Sequence, residues 1–165
     1  MQYSNVGCDF GIASVAEPLI SSLILQSNLN PNLNLNYLFT HKKFCFKTSV
    51  GLINTRSYNN ITSGAIKIGF TTNAEKKFIW NFLLGINKSS ASQTYNGIYI
   101  YKGGLLCAET NFLFNPLKSK NHLLGININV FNYTIIQTFS YRLPNYSDIS
   151  ISLKLSYYFK KAHND

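Results

Sequence analysis

Residues 149–159 read ISISLKLSYYF, and their period decides the fold. Ile149, Ile151, Leu153, Leu155, Tyr157 and Phe159 fall on one face of an extended chain, and Ser150, Ser152, Lys154, Ser156 and Tyr158 on the other. A helix would scatter the same apolar residues around its axis, so strict alternation over eleven residues specifies a strand. Its length suits a tilted strand that crosses a bilayer, for which about 9–11 residues are needed. A soluble sandwich also alternates, and the rest of the chain has to separate the two.

The same pattern recurs upstream. Val6, Cys8, Phe10 and Ile12 oppose Asn5, Gly7, Asp9 and Gly11. Phe44, Phe46, Thr48, Val50 and Leu52 oppose Cys45, Lys47, Ser49 and Gly51, while Ile66, Ile68 and Phe70 oppose Lys67 and Gly69. Phe78, Trp80, Phe82, Leu84 and Ile86 oppose Asn81, Gly85 and Asn87, and Ile126, Ile128 and Val130 oppose Gly125, Asn127 and Asn129. One face is consistently apolar. The other carries Gly, Ser, Asn and Lys, whereas a soluble sheet makes its solvent face rich in charge and Thr. Small residues suit the inside of a narrow barrel, where the taper leaves little room.

Breaks at 40–43, 73–77 and 103–104 are short, and those at 54–60, 88–96 and 115–122 are longer, as turns and loops at opposite ends of a membrane barrel would be. The segments 3–14, 19–39, 44–53, 61–72, 78–87, 97–102, 105–114, 123–131, 133–142 and 149–159 make ten strands, provided that the run 123–142 is two strands joined by a turn near Asn132. An eight-strand count stays open, and Pro31 requires a bulge or loop in the second segment. The expected fold is therefore all-β: a closed antiparallel up-and-down transmembrane β-barrel, one domain over residues 1–159, with a short polar tail at 160–165. Tyr37, Phe39, Phe44, Phe78, Tyr99, Tyr101, Tyr133, Tyr157 and Phe159 lie near strand ends, where interfacial aromatic girdles belong.

Composition agrees with this economy of apolar residues. The 165 residues are 45% hydrophobic with a mean hydropathy near zero, and no run of about 18 apolar residues would make a helical span. Fifteen Lys and Arg against six Asp and Glu give a net charge of +9. The lysine pairs Lys42–Lys43, Lys76–Lys77, Lys118/Lys120 and Lys160–Lys161 fall at turns and ends rather than along a stripe with interleaved aromatics, so nucleic acid is not expected as a partner. Cys8, Cys45 and Cys107 are odd in number and lack metal or redox spacing, which reads as free thiols, with a Cys8–Cys45 or Cys45–Cys107 bridge left open. The first thirty residues lack the basic start and apolar block of a secretion signal.

The final strand, alternating and closed by Phe159, resembles the C-terminal assembly signal of bacterial outer-membrane barrels, here carried by Leu153, Leu155, Tyr157 and Phe159 and followed by residues 160–165. The resemblance implies residence in the outer membrane, bacterial before mitochondrial, with membrane lipid and other envelope proteins as partners.

The inventory for catalysis is thin. Asp9, Glu17, Glu75, Glu109, Asp148, Asp165, His41, His122 and His163 are all it offers, and Glu17, Glu75, Asp148, Asp165 and the three His read as turn, loop or tail residues. No phosphate-binding glycine loop or His-Glu-x-x-His helix occurs, so no cofactor, metal or enzymatic activity is expected. Strand parity instead gathers Asp9, Lys47, Lys67, Glu109 and Lys154 on the Gly/Asn face, a candidate lumen network. Paired, these charges plug a narrow barrel; left wet, three Lys against two carboxylates favour anions in a small pore. The readings carried forward are a barrel with a structural, adhesive or envelope-complex role, a narrow pore for small solutes or anions, and a soluble β-sandwich or lipocalin-like binding module.

Overall fold

A computed structural model describes residues 2–18, 25–54, 60–72, 77–94, 98–115, 121–138 and 146–163. Eight strands follow one another: β1 (Gln2–Pro18), β2 (Leu25–His41), β3 (Phe44–Asn54), β4 (Asn60–Thr71), β5 (Phe78–Thr94), β6 (Ile98–Phe114), β7 (His122–Thr138) and β8 (Tyr146–His163). Each pairs antiparallel with its sequence neighbours, and β8 pairs with β1 to close the barrel. Closure leaves no strand edge, which is what allows a sheet to sit in a solvent that cannot hydrogen-bond it.

The register is staggered. Following paired residues from Tyr3 through Thr40, Cys45, Gly69, Leu83, Glu109, Asn129 and Ser152 returns to β1 at Ala13, ten residues beyond the start. Such a stagger on eight strands corresponds to a tilt of roughly 40°. All of these residues face inward, which confirms that the period-two face is kept around the whole ring.

The apolar face of every strand points outward. Val6, Phe10, Leu35, Val50, Ile68, Phe70, Leu84, Leu155 and Phe159 are exposed, whereas Asn5, Asp9, Asn34, Asn36, Lys47, Lys67, Asn127 and Lys154 are buried. This inverts a soluble protein, and it is the reverse of a lipocalin-like module, whose apolar face lines the cavity. A surface of this kind matches hydrocarbon rather than water. A 17-residue strand such as β1 rises about 40 Å along the axis, well beyond an apolar band of about 25 Å. The excess lies at the end away from the termini, where β5 turns exposed Lys88 and Ser90 outward beyond Ile86.

The ten expected segments condense to eight strands. Gly103–Gly104 is no turn: β6 runs through it, with a register shift against β7 between Gly103 and Cys107. A bulge absorbs what two glycines would otherwise spend on a reversal. Asn132 likewise continues β7, paired with Ile149. Losing these two turns moves the 115–121 connection to the end that holds the termini and the 42–43 turn, so it is not one of the loops at the far end. Most of the 88–96 break, through Thr94, belongs to β5, while Glu17 and Asp148 lie inside β1 and β8. Pro31 needs neither bulge nor loop. It pairs with Ile12, one residue beyond the β2–β3 ladder that begins at Asn32, where β2 has a partner on one side only among the described residues. β8 continues through Lys160 and Lys161 to His163, paired with β1 back to Gln2.

Candidate functional site: the charged lumen

Several inward glycines stand beside a large inward side chain on the next strand. Gly7 pairs with Tyr158, Gly11 with Lys154, Gly69 with Leu83, Gly85 with Lys67 and Gly125 with Leu113. A Cβ on Gly11 would lie 2.0 Å from the Leu153 carbonyl oxygen, and one on Gly85 2.1 Å from that of Ile66. The close approach of the strands at these points requires glycine, and it frees the lumen cross-section for the lysine beside it.

Into that space the strands deliver Asp9 (β1), Lys47 (β3), Lys67 (β4), Glu109 (β6) and Lys154 (β8), each between 0% and 3% exposed. Glu109 is the hub. Lys47 Nζ donates to Glu109 Oε1 at 2.5 Å and to Asp9 Oδ2 at 3.1 Å, and Lys67 Nζ donates to Glu109 Oε2. Four of the five residues thus form one chain of ion pairs spanning the barrel. Lys154 joins through an amide instead. With Asn34 turned so that its oxygen faces the ammonium group, Lys154 Nζ donates to it.

Asparagines complete the hub, and strand parity alone did not assign them this role. Asn127 Nδ2 and Asn111 Nδ2 donate to Glu109 Oε1 at 2.6 and 2.8 Å, Asn127 Nδ2 also donates to Asn111 Oδ1, and Lys67 Nζ donates to Asn129 Oδ1 at 3.1 Å. A buried carboxylate is tolerable when opposite charges and donors fill its lone pairs, and Glu109 has four such partners. The signal was present as same-face spacing, Glu109 with Asn111 and Asn127 with Asn129. What sequence lacked was the stagger that brings β3, β4, β6 and β7 to one level.

Toward the end that holds the termini, buried apolar side chains interleave with Asn5, Thr40, Thr71 and Asn81. Tyr3, Leu38, Cys45, Ile79, Leu83, Leu113, Leu123 and Tyr158 form one buried cluster. The Lys47 ammonium lies 5.7 Å from the centre of the Tyr158 ring, so the network rests on this cluster. Cys45 and Cys107 are buried in the lumen and Cys8 is on the outer face; all three are free thiols.

Leu153, Leu155, Tyr157 and Phe159 line the outer face of β8 near its end. Tyr157 OH and His122 Nδ1 are 2.8 Å apart, and the Phe159 ring meets His122 edge-on at 5.6 Å. Among the residues expected in aromatic girdles, Tyr37, Phe44, Phe78, Tyr157 and Phe159 are exposed and Phe39 is half-buried, all toward the terminal end. The side chains of Tyr99, Tyr101 and Tyr133 lie outside the described residues, as do Glu75 and Asp165.

No protein-family model and no curated protein sequence matches the chain. Solved structures do. Ail, the attachment invasion locus protein of Yersinia pestis, superposes with a TM-score of 0.62 at 12% identity, covering 96% of this chain and 98% of Ail. Ail in complex with the heparin analogue sucrose octasulfate gives 0.63 at 12% identity, over 97% and 99%. Neisserial surface protein A (NspA) gives 0.57 at 12% identity, over 96% of both chains. The chain therefore has the closed, eight-stranded, up-and-down barrel fold that Ail and NspA share.

Proposed function

We propose that this chain is a bacterial outer-membrane β-barrel whose lumen is plugged, and that it acts as a structural or adhesive element through the end that projects beyond the apolar band. The observation that carries this reading is the double inversion of the barrel wall: hydrocarbon-like outside, and inside a Glu109-centred ion network stacked on an apolar cluster. Barrels of eight strands have interiors just wide enough for side chains to fill, and the buried ion pairs and leucines of this lumen support that reading. The similarity to Ail, named as an attachment invasion locus protein, and to NspA, named as a surface protein, supports residence in the outer membrane and a non-enzymatic role at the cell surface.

The rival reading, a narrow anion pore, draws on the third lysine, Lys154, which brings the lumen to three ammonium groups against two carboxylates. Planar-bilayer recording separates the two. The plugged barrel is expected to give no conductance above the bare bilayer; steady channels whose ion selectivity changes on charge reversal at Lys47 or Lys67 would establish the pore. For the adhesive role, display of the protein in the outer membrane of a non-adherent bacterium is expected to raise attachment to host cells, and unchanged attachment would leave a structural role.

A further inference from the structure

Lysines collect at one rim of the barrel, the one holding both chain termini. Lys42 and Lys43 form the β2–β3 turn, Lys77 immediately precedes β5, and Lys160 and Lys161 lie near the end of β8. Backbone hydrogen bonds just past the ladders hold this rim level: Thr71 N donates to Lys43 O at 2.9 Å, Asn115 N to Lys77 O at 3.1 Å, and Lys160 N to Asn121 O at 2.7 Å. No acidic residue accompanies them among the described residues of these turns and strand ends. The intervening connections add Lys76, Lys118 and Lys120 by sequence, against Glu75.

The lysines begin where the exposed aromatics stop. Phe44 follows Lys43, Phe78 follows Lys77, and Phe159 precedes Lys160. The Lys77 ammonium lies 5.7 Å from the centre of the exposed Phe78 ring, whereas that of Lys160 turns inward, 3.9 Å from the centre of the buried Tyr3 ring. Aromatic rings of a membrane barrel sit at headgroup depth, so ammonium groups one residue beyond them reach the phosphate layer. Beside Lys77 the outer wall also carries an apolar groove lined by Phe78, Trp80, Phe112, Phe114 and Ile126. Its walls are stacked rings, Trp80 on Phe112 at 6.1 Å and Phe78 on Phe114 at 5.9 Å.

We infer that this rim is a binding collar for anionic phospholipid of the leaflet at the terminal end, with headgroup phosphates on Lys42, Lys43, Lys77 and Lys161 and an acyl chain in the groove under Lys77. The inference rests on the membrane-spanning reading above. Acyl chain and phosphate belong to one ligand, and the wall offers apolar groove and cation in the same order along β5. A soluble acidic protein would use the lysines and leave the groove unexplained.

Trp80 is the only tryptophan of the chain and lines the groove, so it reports on its own occupant. The folded barrel is reconstituted in phosphatidylcholine vesicles containing phosphatidylglycerol, with one lipid and then the other brominated near the headgroup end of its chains. Brominated phosphatidylglycerol is expected to quench Trp80 several-fold more effectively per molecule than brominated phosphatidylcholine. A juxtamembrane lysine contributes of order one kilocalorie of attraction, enough for about a fivefold preference before salt screening. The preference should vanish in the variant K42Q/K43Q/K77Q/K161Q, whose exposed substitutions leave the barrel folded by circular dichroism. Equal quenching by the two lipids, or a preference that survives in the variant, overturns the collar while leaving the barrel in the membrane. Binding of soluble polyglutamate without lipid preference would reassign the rim to an acidic polymer and equally overturn it. Quenching by neither lipid would mean that Trp80 meets no bilayer, which contradicts the membrane reading itself.

Discussion

Lys47 on β3 and Glu109 on β6 meet at 2.5 Å although two strands separate them around the wall, so their contact crosses the lumen rather than following it. A pair across the lumen acts as a strut. It fixes the distance between opposite walls, and its geometry depends on every ladder between them.

Removing the hub charge should therefore cost more than removing a surface ion pair. Glu109→Gln leaves the Lys67 ammonium buried without a carboxylate and Lys47 with Asp9 alone. Breaking one partner of a buried pair costs about 3–5 kcal/mol. Urea unfolding in lipid vesicles, followed by Trp80 fluorescence, is expected to show that loss. The double variant K67M/E109Q should recover part of it, because the orphaned charge is gone. Equal stability of wild type and Glu109→Gln would mean the network is hydrated and energetically idle.

Glycine at the crowded ladder positions is a steric requirement. A Cβ on Gly69 would lie 1.8 Å from the Phe82 carbonyl oxygen, a backbone atom that cannot rotate away. Gly69→Val is expected to lose about 1–3 kcal/mol, in the range of core overpacking. Gly64 has only one atom near its Cβ position, the Ser49 oxygen at 4.0 Å, and Gly64→Ala serves as the control that should fold as well as wild type. Indistinguishable midpoints for Gly69→Val and Gly64→Ala would contradict the close-approach account.

The outward residues at the end of β8 test the assembly signal separately from folding. Tyr157→Ala with Phe159→Ala removes two exposed rings and leaves the inward Tyr158 and Ser156 in place. The double variant should still fold in detergent but reach the outer membrane of cells in several-fold lower amount. Normal cellular insertion would show that these rings serve only the interface.

Legibility in the sequence followed what each feature depends on. Inward and outward faces were readable because a strand's period is local, as Val6, Phe10 and Ile12 against Asn5 and Asp9 show. Strand number was harder: Gly103–Gly104 and Asn132 carry turn chemistry, and only pairing partners on β5, β7 and β8 reveal that the ladder passes through them. The five lumen charges were placed on one face by parity, but which of them would touch depends on the ten-residue stagger, a property of closure that no single segment contains. For the same reason Asn111, Asn127 and Asn129 could be placed inside yet not at Glu109.

The most direct test of the central claim, an apolar outer wall around a polar, charged lumen, is far-UV circular dichroism of the purified chain with and without detergent micelles, paired with gel mobility before and after heating. The account requires a β spectrum and a heat-modifiable band that appear only when micelles cover Phe10, Ile68, Leu84 and Leu155. A stable β spectrum in plain buffer would show that those side chains meet a protein core, and would contradict the barrel wall described here.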